Sequence, residues 1–206
     1  MLAYKGDKKL KAGILKEMKS HRKADQIIKG TYGKENGVWK GCAVGCAIHS
    51  LNLKKKTSWQ TDDHSVYETE LGIPRALAFL EDSIFENLPQ GKAQDFAVDF
   101  LEAVQVGSDL TLIVPKFMVW LMDEDDKQMP ALPDADEMRA LKEAVETIRV
   151  LYKRLVDGGT VSDQEWTSAS DVIDTKRRAA RAARDAWDAW AEKSAEKILS
   201  LLKEAK

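Results

Sequence analysis

Between Lys8 and Lys29, the residues Leu10, Ile14, Met18, His21, Asp25 and Ile28 recur every three or four positions. That is the period of one face of an α-helix, so the segment predicts an amphipathic helix with His21 and Asp25 turned inward. Gly30, Gly33 and Gly37 then break the pattern into a loop that carries Tyr32 and Trp39. The small-residue run from Gly41 to Leu53 reads as a compact helix, and Lys54 to Asp63 as an exposed polar loop. A short helix from His64 to Leu71 follows, with Thr61, Asp62 or Asp63 as its cap and Gly72 as its stop. Pro74 suits a first helical position, and the next helix turns Leu77, Leu80, Ile84 and Leu88 inward. Phe96, Phe100 and Val104 mark one face of another helix. Leu110 to Met122 is apolar on nearly every side, which predicts a buried helix.

The C-terminal half carries two capping boxes, Asp134 with Glu137 and Ser162 with Glu165. The first opens a helix striped by Met138, Leu141, Val145, Ile148 and Leu155, which Gly158 and Gly159 stop. From Asp163 to Lys206 there is neither Gly nor Pro, which admits one long helix. The pattern therefore predicts an all-α protein. Residues 8–157 form a compact multi-helix globular domain, and a long C-terminal helix over 162–206 packs on it or projects from it.

Composition adds exclusions. The 206 residues are 44% hydrophobic and 32% charged, with 32 basic and 34 acidic side chains. This is the balance of a soluble globular chain and not of a strongly basic nucleic-acid binder. No apolar run approaches the ~18 residues of a membrane span. The first residues lack the apolar stretch of a signal peptide. Two cysteines make no disulfide scaffold, so the expected setting is the cytoplasm, with both thiols reduced. Phosphate-loop, dinucleotide and serine-hydrolase motifs are absent. The arginines at 177, 178, 181 and 184 are followed directly by acidic residues, as on a salt-bridged solvated face.

Three words, GCAVGCAIH (41–49), YETELGIPRALAFLEDSIFE (67–86) and VGSDLTLIVPKF (106–117), together with the Ala/Trp/Arg-rich tail, resemble a family of uncharacterised proteins of phages, prophages and environmental bacteria. The resemblance implies a phage or bacterial setting. It implies no activity and no site residues.

The chemistry-bearing residues are bunched. Both cysteines and all three histidines fall within residues 21–64: His21, Cys42, Cys46, His49 and His64. Three readings apply. Cysteines beside Ala43, Gly45 and Ala47 serve as small buried hydrophobes. Thiolate with imidazole suits zinc or another transition metal, which makes Cys42, Cys46, His49 and His64 the candidate ligands. A single helix, however, spreads Cys42 and His49 about 10 Å apart along its axis. Alternatively Cys42, at the first turn of a helix, is a nucleophile with His64 or His21 as base and Asp25 as orienting carboxylate. The expectation is metal-dependent or thiol-dependent chemistry on a small molecule. The alternative is a non-enzymatic protein that binds a host factor through its surface or through Trp187 and Trp190 of the C-terminal helix.

Overall fold

The computed structural model describes residues 2–35, 37–128, 135–174 and 187–206. The protein is all-α, as the periodicity predicts. Among the described residues the strands are β1 (Lys34–Glu35) and β2 (Trp39–Lys40), a minimal antiparallel pair with Glu35 opposite Trp39. Two compact units are present, one of residues 1–114 with 188–206 and the other of residues 115–187.

The first unit is built on α1 (Lys8–Lys23), α2 (Ala43–Lys55), α3 (Arg75–Asn87) and α4 (Gln90–Ala103). Helix α1 packs on α2 and α4, and α3 packs on the same two partners. Met18, Ile27, Ile48, Leu51, Leu77, Phe85 and Phe100 form its fully buried core. Asp7 caps α1, accepting from the Lys9 N–H at 2.7 Å. The predicted stripes of α3 and α4 are buried at Leu77, Ile84, Leu88, Phe96, Phe100 and Val104, with Leu80 half-buried. Helix α2 has no solvent face over its first half, where Ala43 to Ile48 are all buried. Its small residues let neighbours approach closely. A Cβ on Gly45 would meet the Tyr32 carbonyl oxygen at 2.0 Å, so only glycine fits there.

Between α2 and α3 the chain makes one π-helical turn, Tyr67–Leu71, and reverses at Gly72 in the left-handed region (φ 66°). Helix α8 (Trp187–Glu204) completes this unit, burying Ala191, Ser194, Ala195, Ile198 and Leu202. Lys92 of α4 pairs with its Glu192 at 2.7 Å.

Helix α5 (Ile113–Gln128) begins in the first unit and continues into the second. The sequence predicts burial on nearly every side from Leu110 to Met122. Over residues 113–122 this largely holds: Ile113, Pro115, Phe117 and Met122, which lie on opposite sides of the helix, are buried, 118–121 are half-buried, and Lys116 is exposed. The second unit adds α6 (Ala135–Val156) and α7 (Asp163–Asp174), which pack on each other. The predicted Ser162–Glu165 capping box is formed, with Ser162 Oγ 2.8 Å from the Glu165 carboxylate and the Glu165 N–H donating back to Ser162. Tyr152 and Trp166 pack ring to ring at 4.8 Å. The Asp134–Glu137 box falls partly, and the middle of the predicted C-terminal helix wholly, outside the described residues.

Candidate metal centre

Cys42 is the N-cap of α2. Its backbone N–H donates to the Thr31 carbonyl at 2.7 Å, and its Sγ accepts from the Gly45 N–H at 3.4 Å. The neighbouring helix α3 brings Asp82 and Glu86, one turn apart, to this sulfur. Cys42 Sγ and one carboxylate oxygen from each of Asp82 and Glu86 lie within 4.8 Å of one another. Among the described residues no other group of three Cys, His, Asp or Glu side chains converges this closely.

The loop after α1 holds the two carboxylates. The Gly30 N–H donates to both Glu86 oxygens, at 2.9 and 3.1 Å. The Tyr32 hydroxyl donates to Asp82 Oδ2 at 2.6 Å. Asp82 Oδ2 also faces His64 Nε2 at 3.3 Å. Asp82 Oδ1, by contrast, is buried and closes no bond of normal geometry, although the Cys42 thiol interacts with this carboxylate. His64 is itself buried, stacked on Phe79 with centroids 4.0 Å apart, and Tyr32 meets its ring edge-on at 5.7 Å. Its Nδ1 lies 2.9 Å from the Asp62 carbonyl oxygen, which can only accept, so Nδ1 carries a proton.

Electrostatics follow from this crowding. Burial pushes the Cys42 thiol far above its usual range, and the Asp82 and Glu86 charges push it further against the opposing Gly45 bond. Burial also raises Glu86, with Asp82 adding to the effect and the Gly30 bond opposing it. Asp82 is buried too, yet the bonds from His64 and Tyr32 outweigh that burial and hold it below the ordinary carboxylate range. Deeper still lie Glu81 and Tyr67, both fully buried. The Glu81 oxygens and the Tyr67 hydroxyl lie near each other without closing a bond of normal geometry. Burial first, and the Asp82 charge second, raise Glu81 well above its usual range and keep it a neutral acid.

The cysteines and histidines read from the sequence do not meet at one point. They divide along α2. Cys42 and His64 belong to the acidic cluster just described. Cys46, one turn on, is a buried free thiol that donates to the Gly41 carbonyl at 3.3 Å. His49 stacks flat on Trp39, with centroids 3.9 Å apart. His21 is half-buried, with Nδ1 2.7 Å from Gln26 Oε1 and Nε2 2.8 Å from Ser50 Oγ. The expected His21–Asp25 pair is corrected: Asp25 is exposed and accepts from Gln94 Nε2 at 2.6 Å. Helix α1 ends at Lys23, and Asp25 sits beyond it in the left-handed region (φ 53°), so the helical period that placed it inward does not reach it. The set Cys42, Cys46, His49 and His64 does not converge as ligands either, because residues seven apart on one helix stay apart.

The sequence reading missed Asp82 and Glu86, which supply the oxygen atoms of the centre. A signal existed. In α3, Glu81 and Asp82 occupy the same inward positions as Leu77, Ala78, Ile84 and Phe85. Acids at such positions are costly unless they have a task or a partner.

Compared with known protein families, curated proteins and solved structures, the chain finds no match.

Proposed function

We propose that this protein binds a divalent transition-metal ion of the zinc class at Cys42, Asp82 and Glu86, and that its activity on a small molecule depends on that ion. One thiolate and two carboxylates are a fitting donor set for zinc, and three protein ligands leave a fourth position for water or substrate. The observation that carries the reading is Asp82. Its Oδ2 is held by Tyr32 and His64, while its buried Oδ1 closes no bond of normal geometry and the carboxylate faces the Cys42 thiol beside Glu86. A carboxylate oriented through one oxygen and open at the other is the arrangement that outer-shell partners give to a ligand. The Asp82 and half-buried Glu86 carboxylates repel each other beside the thiol, and a divalent cation would relieve that repulsion and draw off the Cys42 proton.

The thiol-nucleophile reading is weaker at Cys42. Burial and the neighbouring carboxylates hold the thiol protonated, which removes the attacking species. Cadmium, a thiolate-seeking stand-in for zinc, tests the proposal. Titration of the protein should show one equivalent bound with thiolate-to-metal absorbance. Cys42→Ser should abolish that absorbance, and Asp82→Asn should weaken binding by at least about tenfold. Wild-type protein that takes up no ion, or both variants binding as wild type does, would overturn it.

A further inference from the structure

On the metal reading above, we infer that residues 30–32 are a single positioning unit that holds all three candidate ligands at once, so that ion binding and the order of this surface loop are coupled. Each residue of the loop reaches a different ligand. The Gly30 N–H donates to both Glu86 oxygens, the Thr31 carbonyl accepts from the Cys42 N–H at 2.7 Å, and the Tyr32 hydroxyl donates to Asp82 Oδ2.

The flanks of the loop are fixed independently of the ligands. Before it, Ile27 is fully buried, its carbonyl accepts from the side chains of Gln90 and Gln94, and the Ile28 N–H donates to the Gly41 carbonyl at 2.8 Å. After it, Gly33 lies so close under the Trp39 ring that an added Cβ would collide with it.

Between these flanks the three ligand bonds share one short backbone. The Thr31 carbonyl and the Tyr32 N–H belong to one planar peptide unit, so turning that plane away from Cys42 also shifts the Tyr32 Cα and its anchored side chain. The Tyr32 carbonyl, in the next plane, is lodged against α2, where a Cβ on Gly45 would meet it at 2.0 Å, and against Gly41, where one would lie 2.9 Å away. Loss of one anchor therefore loosens all three bonds and not one alone. Gly30 and Tyr32 are exposed while Cys42 and Asp82 are buried, so the loop carries the state of a buried centre to the surface. By linkage, an ion that needs the ligands in this arrangement steadies the loop, and whatever loosens the loop weakens the ion by the same factor.

Amide hydrogen exchange, read residue by residue by NMR, tests the unit without needing a metal. Tyr32→Phe removes the hydroxyl and keeps the ring against His64. In the metal-free protein the Gly30 and Cys42 amides, neither of which bonds to Tyr32, should exchange about tenfold faster in this variant. The Ile28 amide, bonded to Gly41, and the Gly41 amide, bonded to Gln26, should keep their wild-type rates. Unchanged Gly30 and Cys42 amides, or all four accelerating together, overturn the unit. The reciprocal variant Glu86→Ala should accelerate the Cys42 amide likewise, and it decides should Tyr32→Phe fail to fold. One equivalent of cadmium should slow the Gly30 and Cys42 amides of the wild type about tenfold, and cadmium affinity should fall about tenfold in Tyr32→Phe. Cadmium bound with thiolate absorbance while those amides exchange no more slowly overturns the coupling. Accelerated amides in Tyr32→Phe with no cadmium taken up by any form keep the positioning unit and remove the metal reading.

Discussion

Gly45→Ala offers a direct test of how the site loop is seated. In a helix interior the change normally stabilises by up to about 1 kcal/mol, because alanine loses less backbone freedom on folding. Here the new Cβ would lie 2.0 Å from the Tyr32 carbonyl oxygen, 2.7 Å from its carbon and 3.1 Å from its Cα. The first distance is about 1.4 Å short of an ordinary 3.4 Å contact. All three neighbours are backbone, so no side-chain rotation relieves the overlap. The loop must retreat, straining the bond from Cys42 N–H to the Thr31 carbonyl and drawing Tyr32 from Asp82. Overpacking of this kind costs about 1–3 kcal/mol, and a weakened buried hydrogen bond adds about 1. After subtracting the propensity gain, the expected loss is about 1–3 kcal/mol. Gly91→Ala in α4 is the matched control, because nothing lies within 4 Å of its Cβ position and the propensity gain should appear alone. Urea unfolding followed by helical circular dichroism compares them. Gly45→Ala as stable as wild type, or Gly91→Ala less stable than Gly45→Ala, would refute the reasoning.

Three other outcomes follow from the same structure. Glu81 is raised above its ordinary range by burial, so its neutral form is favoured on folding and stability is lost as pH rises through the unfolded carboxyl range. Glu81→Gln lacks that loss, and its stability relative to wild type should increase from pH 4 to pH 8; a pH-independent difference, read by thermal melts, contradicts this. Burial likewise raises the Cys46 thiol from 9.0 to about 11, so its contribution, roughly 2–3 kcal/mol, is present below pH 9 and lost as pH climbs toward 11. Unfolding of wild type against Cys46→Ala across that window should show the two curves converging, and parallel curves would exclude it. At Asp25, exposed and left-handed, Asp25→Gly should be at least as stable as wild type and Asp25→Ala less stable by up to about 1 kcal/mol; both variants losing the same stability in denaturant unfolding would show that the Gln94 contact governs instead.

Much of the chain's local order is written in its periodicity. The stripes Leu77–Ile84–Leu88 and Phe96–Phe100–Val104 turn inward as the 3.6-residue period requires, because burying them is the main driving force available to a helix of that length. The Ser162–Glu165 box forms because both partners lie within one turn. Legibility ends where a helix ends. Leu10, Ile14, Met18 and His21 obey one period, yet Asp25 does not, since nothing in the pattern marks the stop at Lys23.

The candidate centre was half legible for a related reason. Cys42 and His64 stand out by type, and the short apolar word around Cys42 places it at a helix start. Their oxygen partners are less plain: Asp82 stands at an inward position of α3, but Glu86 looks like part of its polar face until α2 is laid against α3. The sequence alone determined which segments are helical, which faces are apolar and that the reactive residue types gather near α2, since each of these depends on neighbours within a few turns. Tertiary structure alone decided that Cys42 and Cys46 part company, that Tyr32 returns across 50 positions to Asp82, and that one carboxylate oxygen closes no bond of normal geometry. Those outcomes depend on the angle and distance between helices, which are fixed by packing around Gly45 and the buried face of α3 and have no periodic trace in the chain.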